Sequence, residues 1–525
     1  MIGLLAADAA RTSGGFVLAA LRRSVGSQQA AAFSRGTLRA AAPGVVVAVD
    51  APDAWSADLL HWMQVRARKL IVFGHMPIAL AEYLGMREGT WPADLGETSC
   101  SAVAPAGESR ESRAQIGYTA LAQKLGVEAW QRPFERFDFT DEWNNLGFGA
   151  IRTDGSMWAL SQAYQVPAEA ELAAVTIDGA RSFSYAALWD TGSTSVLWFN
   201  RAAGPCDSFE WRIVENFLSA YRADALPCQP VLSEIPWGYD AAITSRLDCD
   251  EDVESARPLW DAYRRLGIPF SLAVHTRNLD QEHNHGILRE LLANRSNGAV
   301  LSHTATHAPN WGGSYESARA EGEHSAALLQ RLTGQPVRYA VSPFHQSPSY
   351  ALRGLSDAGY SGCIGGIIRN DPEFLLARGG ELADTPSGFI GHSQQCMLHG
   401  DCMLTSGDPL AVYKRAFDLA YETKTLFGYL DHPFSPRYQY GWTDEAARIS
   451  AHEAFIDYLK RRAAKPLFLT EDAAMDFLAF KAKAVVFERD GAFVIETASG
   501  GETPFKLGVE YRGEHLLAES GKFLQ

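Results

Sequence analysis

No stretch of this chain approaches the ~20 consecutive apolar residues that a membrane-spanning helix needs, so a membrane span is not expected. Cysteine is scarce and scattered: seven residues, an odd number, give no disulfide framework. Cys206 and Cys228 could pair, but small buried thiols are the simpler reading. Basic charge is also short, with 47 Lys and Arg against 62 Asp and Glu. The resulting net charge of −15 argues against nucleic acid or an anionic membrane surface as a partner. No Gly-x-Gly-x-x-Gly fingerprint follows the first strand and no Walker sequence occurs, so nucleotide binding has no support. The first 21 residues lack a basic start and a long apolar run, which makes them a poor signal peptide and gives a cytoplasmic expectation.

What is present fills two or three domains: 525 residues with 46% hydrophobic content bury a substantial core. Residues 1–226 read as an α/β accessory domain, Rossmann-like or amidotransferase-like. Gly44 to Asp50 and Leu70 to Gly74 form buried strands, Ala54 to Arg68 has helical apolar spacing, and Phe209 to Tyr221 closes with a helix. Ala173 to Ile177 and Ser195 to Phe199 are further strands, and Gly85 to Ser112 is a long surface loop. Chemistry is not expected in this region. Cys100 lacks the strand–turn–helix elbow of a nucleophile, and Asp50 and Asp53 read as capping acids.

Residues 231–480 alternate strand and helix from Ala241 to Arg462, with strands ending near Asp248, Val274, Ser302, Val341, Ile368 and Leu430. This is the pattern of an irregular parallel (β/α)7-like barrel, in which chemistry sits at the C-terminal strand ends. Residues 484–525 change period, with short strands broken at Asp490-Gly491 and Gly500-Gly501, and read as a small antiparallel β unit.

Two strand ends stand out. Thr244 to Asp252 reads T-S-R-L-D-C-D-E-D, placing Asp248 and Asp250 after an apolar run. Ser302 to His307 reads S-H-T-A-T-H, placing His303 and His307 four apart after Val300 and Leu301. If the chain turns helical there, the two imidazoles share a face and converge on one ion. Acidic oxygens and two imidazoles at neighbouring strand ends make a divalent-metal site, against the bland reading of hydrogen-bonded core histidines.

These motifs carry a resemblance, over residues 231–480, to the NodB-homology polysaccharide deacetylases, metal-dependent enzymes that remove acetyl groups from N-acetylated sugars. His303-Thr304-Ala305-Thr306-His307 matches the family's His-[Ser/Thr]-x-x-His motif, and Leu430-Asp431-His432 matches its Leu-x-His motif. The family's acids are adjacent, whereas Cys249 separates Asp248 from Asp250 here. The resemblance implies Asp250, His303 and His307 as ligands of one divalent ion, zinc first among the choices. It implies His432 as acid to the departing amine and one acid of the split pair as base, with Asp248 the first candidate and the exchange of roles with Asp250 left open by the intervening Cys249. Asp431 is expected to point away from the pocket, so that another acid orients His432.

Supporting residues follow from position. Arg246 faces the same side of the strand as Asp248 and could hold it ionised. Arg338 is the second candidate, from a loose version of the family's Arg-then-Pro-Tyr segment that runs on to Pro343, Phe344 and His345. Trp311, Phe344, Tyr438, Tyr440 and Trp442 lie in loops after strands, where aromatic faces suit sugar rings. Pro343, Phe344, His345, Tyr438 and Trp442 are the substrate-binding candidates. His392, Cys396, His399 and Cys402 have the spacing of a second, structural zinc site, against a packed loop roofing the pocket. The function expected is hydrolytic removal of N-acetyl groups from a carbohydrate. A small-amide hydrolase on the same barrel and an inactive carbohydrate-binding scaffold are the alternatives.

Overall fold

The computed structural model describes residues 1–99, 113–134, 151–205, 207–294, 296–365, 378–392, 395–498 and 503–524. Cys100, Cys206, the Gly500-Gly501 break and the end of the Gly362–Ile368 strand lie outside them. The chain is mixed α/β and is built on two large sheets with parallel strands. No helix among the described residues is long and apolar enough to cross a membrane.

Among the described residues the first sheet has nine strands. Ala30–Phe33, Ile2–Ala6, Val45–Val49, Arg68–Phe73 and Thr194–Phe199 run parallel, each paired to the next. Val45–Val49 is buried along its whole length, as a strand covered on both faces must be. The other half departs from a Rossmann-like pattern. Thr194–Phe199 folds back on Ala180–Thr191 through a turn at Gly192, and Glu171–Ile177, Ala114–Tyr118 and Gln131–Pro133 continue antiparallel. The helix Ser208–Ser219 then packs its apolar side inward, N-capped by Asp207, whose side chain accepts from the Glu210 N–H.

Among the described residues the second sheet has ten strands. Ile390–His392, Gly362–Ile364, Tyr339–Val341, Gly298–Ser302, Phe270–Val274, Ala241–Cys249, Phe427–Asp431 and Gln395–Met397 are joined in that order, all parallel. Pro466–Leu469 pairs with the first half of Ala241–Cys249, and Gly380–Glu381 pairs antiparallel with Ile390–His392. The two end strands of the parallel path lie in one stretch of chain. Its first three residues pair with Gly362–Ile364 and its last three, Gln395–Met397, with Phe427–Asp431. Side chains stitch the same seam: His392 Nε2 bonds the Leu426 carbonyl at 3.2 Å, and the Glu234 carboxylate accepts from the backbone N–H groups of Gly379 and Leu426.

Helices Arg257–Leu266, His285–Leu292, Tyr315–Thr333, Ser349–Asp357, Ala411–Thr423 and Glu445–Arg462 follow strands as the alternation predicts. Pro466–Leu469 and the helix Glu471–Ala482 extend the pattern beyond Arg462. Along the tail, Val485–Arg489 and Ala492–Glu496 form a hairpin whose turn residues Asp490 and Gly491 both take positive φ. The next strand begins at Gly508 rather than Phe505, and Gly508–Tyr511 pairs with both Val231–Leu232 and Glu514–Leu517.

Candidate metal centre and catalytic cleft

Ala241–Cys249 is the strand that positions the chemistry. It is buried from end to end and lies between Phe270–Val274 and Phe427–Asp431 at its C-terminal half. Alternation puts Arg246 and Asp248 on one face. Arg246 Nε donates to Asp248 Oδ1 at 2.6 Å and Nη2 to Oδ2 at 3.2 Å, while Nη1 reaches Glu471 Oε1 at 3.3 Å. Burial opposes the charge on Asp248, but the Arg246 guanidinium and then His303 outweigh it and hold the carboxyl down at about 2.

One residue past the strand, Asp250 enters a cleft of about 520 Å³ together with His303, His307 and His432. Asp250 Oδ1 stands 3.2 Å from His303 Nε2 and 3.4 Å from His307 Nε2, and the two imidazole nitrogens are 3.1 Å apart. Burial works against the Asp250 carboxylate, yet contact with His303 and the charges of His432 and His307 keep its pKa low. Asp250 Oδ1 is nonetheless buried with no hydrogen-bond partner. Three donor atoms meeting edge to edge, one of them without a proton partner, fit a bound cation. A tetrahedral zinc with donors at ~2.0–2.1 Å would space them roughly 3.3 Å apart. His303 Nδ1 bonds the Val341 carbonyl at 3.1 Å. A carbonyl only accepts, so Nδ1 carries the proton and Nε2 offers its lone pair to the centre.

The two histidines do not share a helical face. Residues 303–308 form a loop in which Thr304 and His307 take φ of +69° and +53°. Glu321 fixes it, accepting from the backbone N–H groups of Ala305 and Thr306 at 2.8 Å each and from the Thr306 hydroxyl at 2.6 Å. Convergence therefore comes from a reversed turn, and helix formation is postponed to Tyr315.

His432 follows Phe427–Asp431 into the same cleft, with Nε2 3.6 Å from Asp250 Oδ2. Its Nδ1 pairs with His399 Nε2 at 2.8 Å. The expected acid partner is thus replaced by an imidazole. Asp431 stands one step behind, 3.5 Å from His399, and is occupied by the His432 N–H, the Trp442 indole N–H and His452.

No family model and no curated protein matches the chain. Several solved structures are similar at low identity. The carbohydrate deacetylase Agd3 is 10% identical, with 100% of this chain and 97% of that one covered and a TM-score of 0.41. A putative polysaccharide deacetylase from Mycobacterium smegmatis is 12% identical, with 46% of this chain and 92% of that one covered and a TM-score of 0.36. The allantoinase PuuE is 13% identical, with the same two coverages and a TM-score of 0.36.

Arg338, Trp442 and Trp311 do not line the cleft. Arg338 lies at the opposite, N-terminal end of its strand, Tyr339–Val341, and pairs with Asp476 at 2.5 Å. A parallel sheet presents its chemistry at the other end, so Arg338 does not serve Asp248. Trp442 is buried outside the cleft lining, where its indole N–H donates to Asp431. Trp311 is likewise buried and bonds the Gln346 carbonyl. Phe344 and Tyr438 do line the cleft, and Phe344 sits 4.6 Å from the His307 ring. Pro343, expected among the substrate-binding residues, is buried outside the cleft lining, at the start of the turn that carries Phe344 and His345, both at positive φ. His345 also lines the cleft, and burial pushes its pKa down to about 3.

His392, Cys396, His399 and Cys402 do not gather among the described residues. His392 serves the seam, His399 meets His432, and both cysteines are buried in the apolar core. Sequence reading passed over His275, at the end of Phe270–Val274. It lines the cleft with Nδ1 3.2 Å from the Asp250 carbonyl, and its position after a buried strand was the available signal.

Proposed function

We propose that this protein is a metal-dependent hydrolase that removes N-acetyl groups from a sugar in a polysaccharide or glycan precursor. The observation that carries the reading is the meeting of Asp250, His303 and His307 within 3.1–3.4 Å around an unpartnered carboxylate oxygen. A divalent ion there supplies an acidified water and a polarised carbonyl. Asp248, kept ionised by Arg246, accepts the proton of the attacking water. His432, across the centre, gives a proton to the departing amine. Phe344, Tyr438 and Tyr440 offer ring faces and edges to a sugar.

The second sheet is read as the irregular barrel of such an enzyme, its closure running through the stretch that begins at Ile390. Residues 1–226 are assigned an accessory role, and the compartment proposed is the cytoplasm. The test is acetate release from N-acetylated oligosaccharides by purified protein reconstituted with zinc. Stoichiometric zinc with no acetate released from any of them would leave a carbohydrate-binding scaffold in its place.

A further inference from the structure

Three rings form a compact group beside the metal centre. His432 and Tyr440 lie face to face, with centroids 4.1 Å apart and planes at 15°. His399 sits 5.0 Å from the first and 4.8 Å from the second. The backbone of His432 is already fixed, its N–H on Asp431 Oδ1 at 2.8 Å and its carbonyl on Arg448 Nη1 at 2.5 Å. Rotation of the ring is what remains free; among the described residues His399 restrains it by a direct bond and Tyr440 by stacking, while Asp250 Oδ2 stands 3.6 Å from Nε2.

The two restraining residues come from separate loops that cross at bare backbone. The N–H groups of Gly400 and Asp401 donate to the Tyr440 carbonyl at 2.9 and 3.3 Å. A Cβ on Gly400 would lie 2.3 Å from the Gly441 carbonyl carbon, and one on Gly441 would lie 2.1 Å from Asp401 N. Gly441 also takes φ +77°. Only glycine at both positions lets the loops approach so closely.

We propose that His399 is the positioning residue that sets the ring of His432 for proton delivery, with Tyr440 closing the clamp from the other face. The inference rests on the acid role given to His432 above. The bond at 2.8 Å needs one proton. With His399 Nε2 accepting, His432 Nδ1 carries it, and His432 Nε2, the atom turned to the cleft, carries the second proton of the imidazolium, which is the one given to the departing amine. His399 is buried and neutral, its pKa pushed down to about 3 by burial. His399, Asp431 and His432 also bring ligand atoms together as a metal site would. The Asp431 oxygens are taken by three N–H donors, however, which favours a hydrogen-bonded cluster over a second ion.

The experiment compares His399→Leu and His399→Gln in the full, zinc-loaded chain. Leucine removes the acceptor, and glutamine restores one through its amide oxygen. His399→Leu should lower kcat on an N-acetylated oligosaccharide by ~10²-fold with KM and one zinc per chain unchanged. His399→Gln should recover most of that loss. The 15N spectrum of imidazole-labelled protein should show His432 losing its fixed Nδ1–H tautomer in the leucine variant and regaining it in the glutamine variant. Unchanged kcat in His399→Leu, equal losses in both variants, or two zinc ions per wild-type chain would overturn the assignment. A wild type without deacetylase activity would overturn the functional reading instead. The 15N comparison would then decide alone whether His399 positions His432.

Discussion

Arg246 and Asp248, two residues apart on one buried strand, meet in a two-pronged ion pair at 2.6 and 3.2 Å. The third guanidinium nitrogen reaches Glu471, so one cation compensates two interior carboxylates. Removing one partner of such a group leaves buried charge unpaired, at a cost of about 3–5 kcal/mol. Arg246→Ala should therefore lower both stability and activity. Chemical denaturation would check it: a midpoint equal to wild type would mean that the pair contributes nothing.

The split acidic motif gives a sharper test. Asp248 is held away from the ligand triad by Arg246, whereas Asp250 Oδ1 sits among the histidine nitrogens. Asp248→Asn should keep the ion and lose ~10²–10⁴-fold in rate, while Asp250→Asn should lose the ion as well. Metal analysis of the two purified variants reads this directly, and the opposite pattern would exchange the two roles.

His303→Ala and His307→Ala should each abolish stoichiometric metal binding and activity. Wild type stripped by a chelator should be inactive, unfold at a lower temperature, and recover both properties on adding zinc, because an ion bound only to the folded state stabilises it. Full metal occupancy in either alanine variant would place the centre elsewhere.

Much of this was legible in the sequence, because its signals are local. A run such as Val45–Val49 is buried on both faces and announces itself by composition. The alternation that places Arg246 beside Asp248 follows from the two-residue period of any strand. What was not legible depends on distant chain. The loop at His303–His307 departs from a helix because Glu321, far along the next helix, captures its N–H groups. Spacing alone groups His399 with cysteines, whereas the register of Gln395–Met397 on Phe427–Asp431 carries it toward His432. The motif match that suggests Arg338 does not say at which end of a strand a residue falls.

Away from the cleft, Glu215 on the helix of the first sheet is buried and bonded by Arg378 at 2.9 and 2.6 Å. Burial opposes its charge, but Arg378 and then Arg212 pull its pKa down to about 2 from the ordinary 4.5. A depressed folded-state pKa gives stability that is present above pH 4.5 and lost as pH falls toward 2. Glu215→Gln should be less stable than wild type near pH 6, by roughly 3 kcal/mol, and the gap should narrow steadily below pH 4.5. Urea unfolding at pH 6 and pH 3 measures it, and a gap independent of pH would show that the pair is not electrostatic in origin.

Arg338 supplies the negative control for the whole site. It lies at the N-terminal end of Tyr339–Val341, half-exposed, and its bond goes to Asp476 rather than to any cleft residue. Asp476 keeps a second donor, the Tyr339 hydroxyl at 2.6 Å, so loss of the guanidinium does not leave that carboxylate unpartnered. Arg338→Ala should cost no more than about 1 kcal/mol, as for a partly solvated ion pair. Its kcat, KM and metal content should match wild type, in contrast to Arg246→Ala, which acts on Asp248 directly. If Arg338→Ala instead slowed turnover at full stability and full metal, Arg338 rather than Arg246 would control the base. The placement of the chemistry at the C-terminal strand ends would then need to be redrawn.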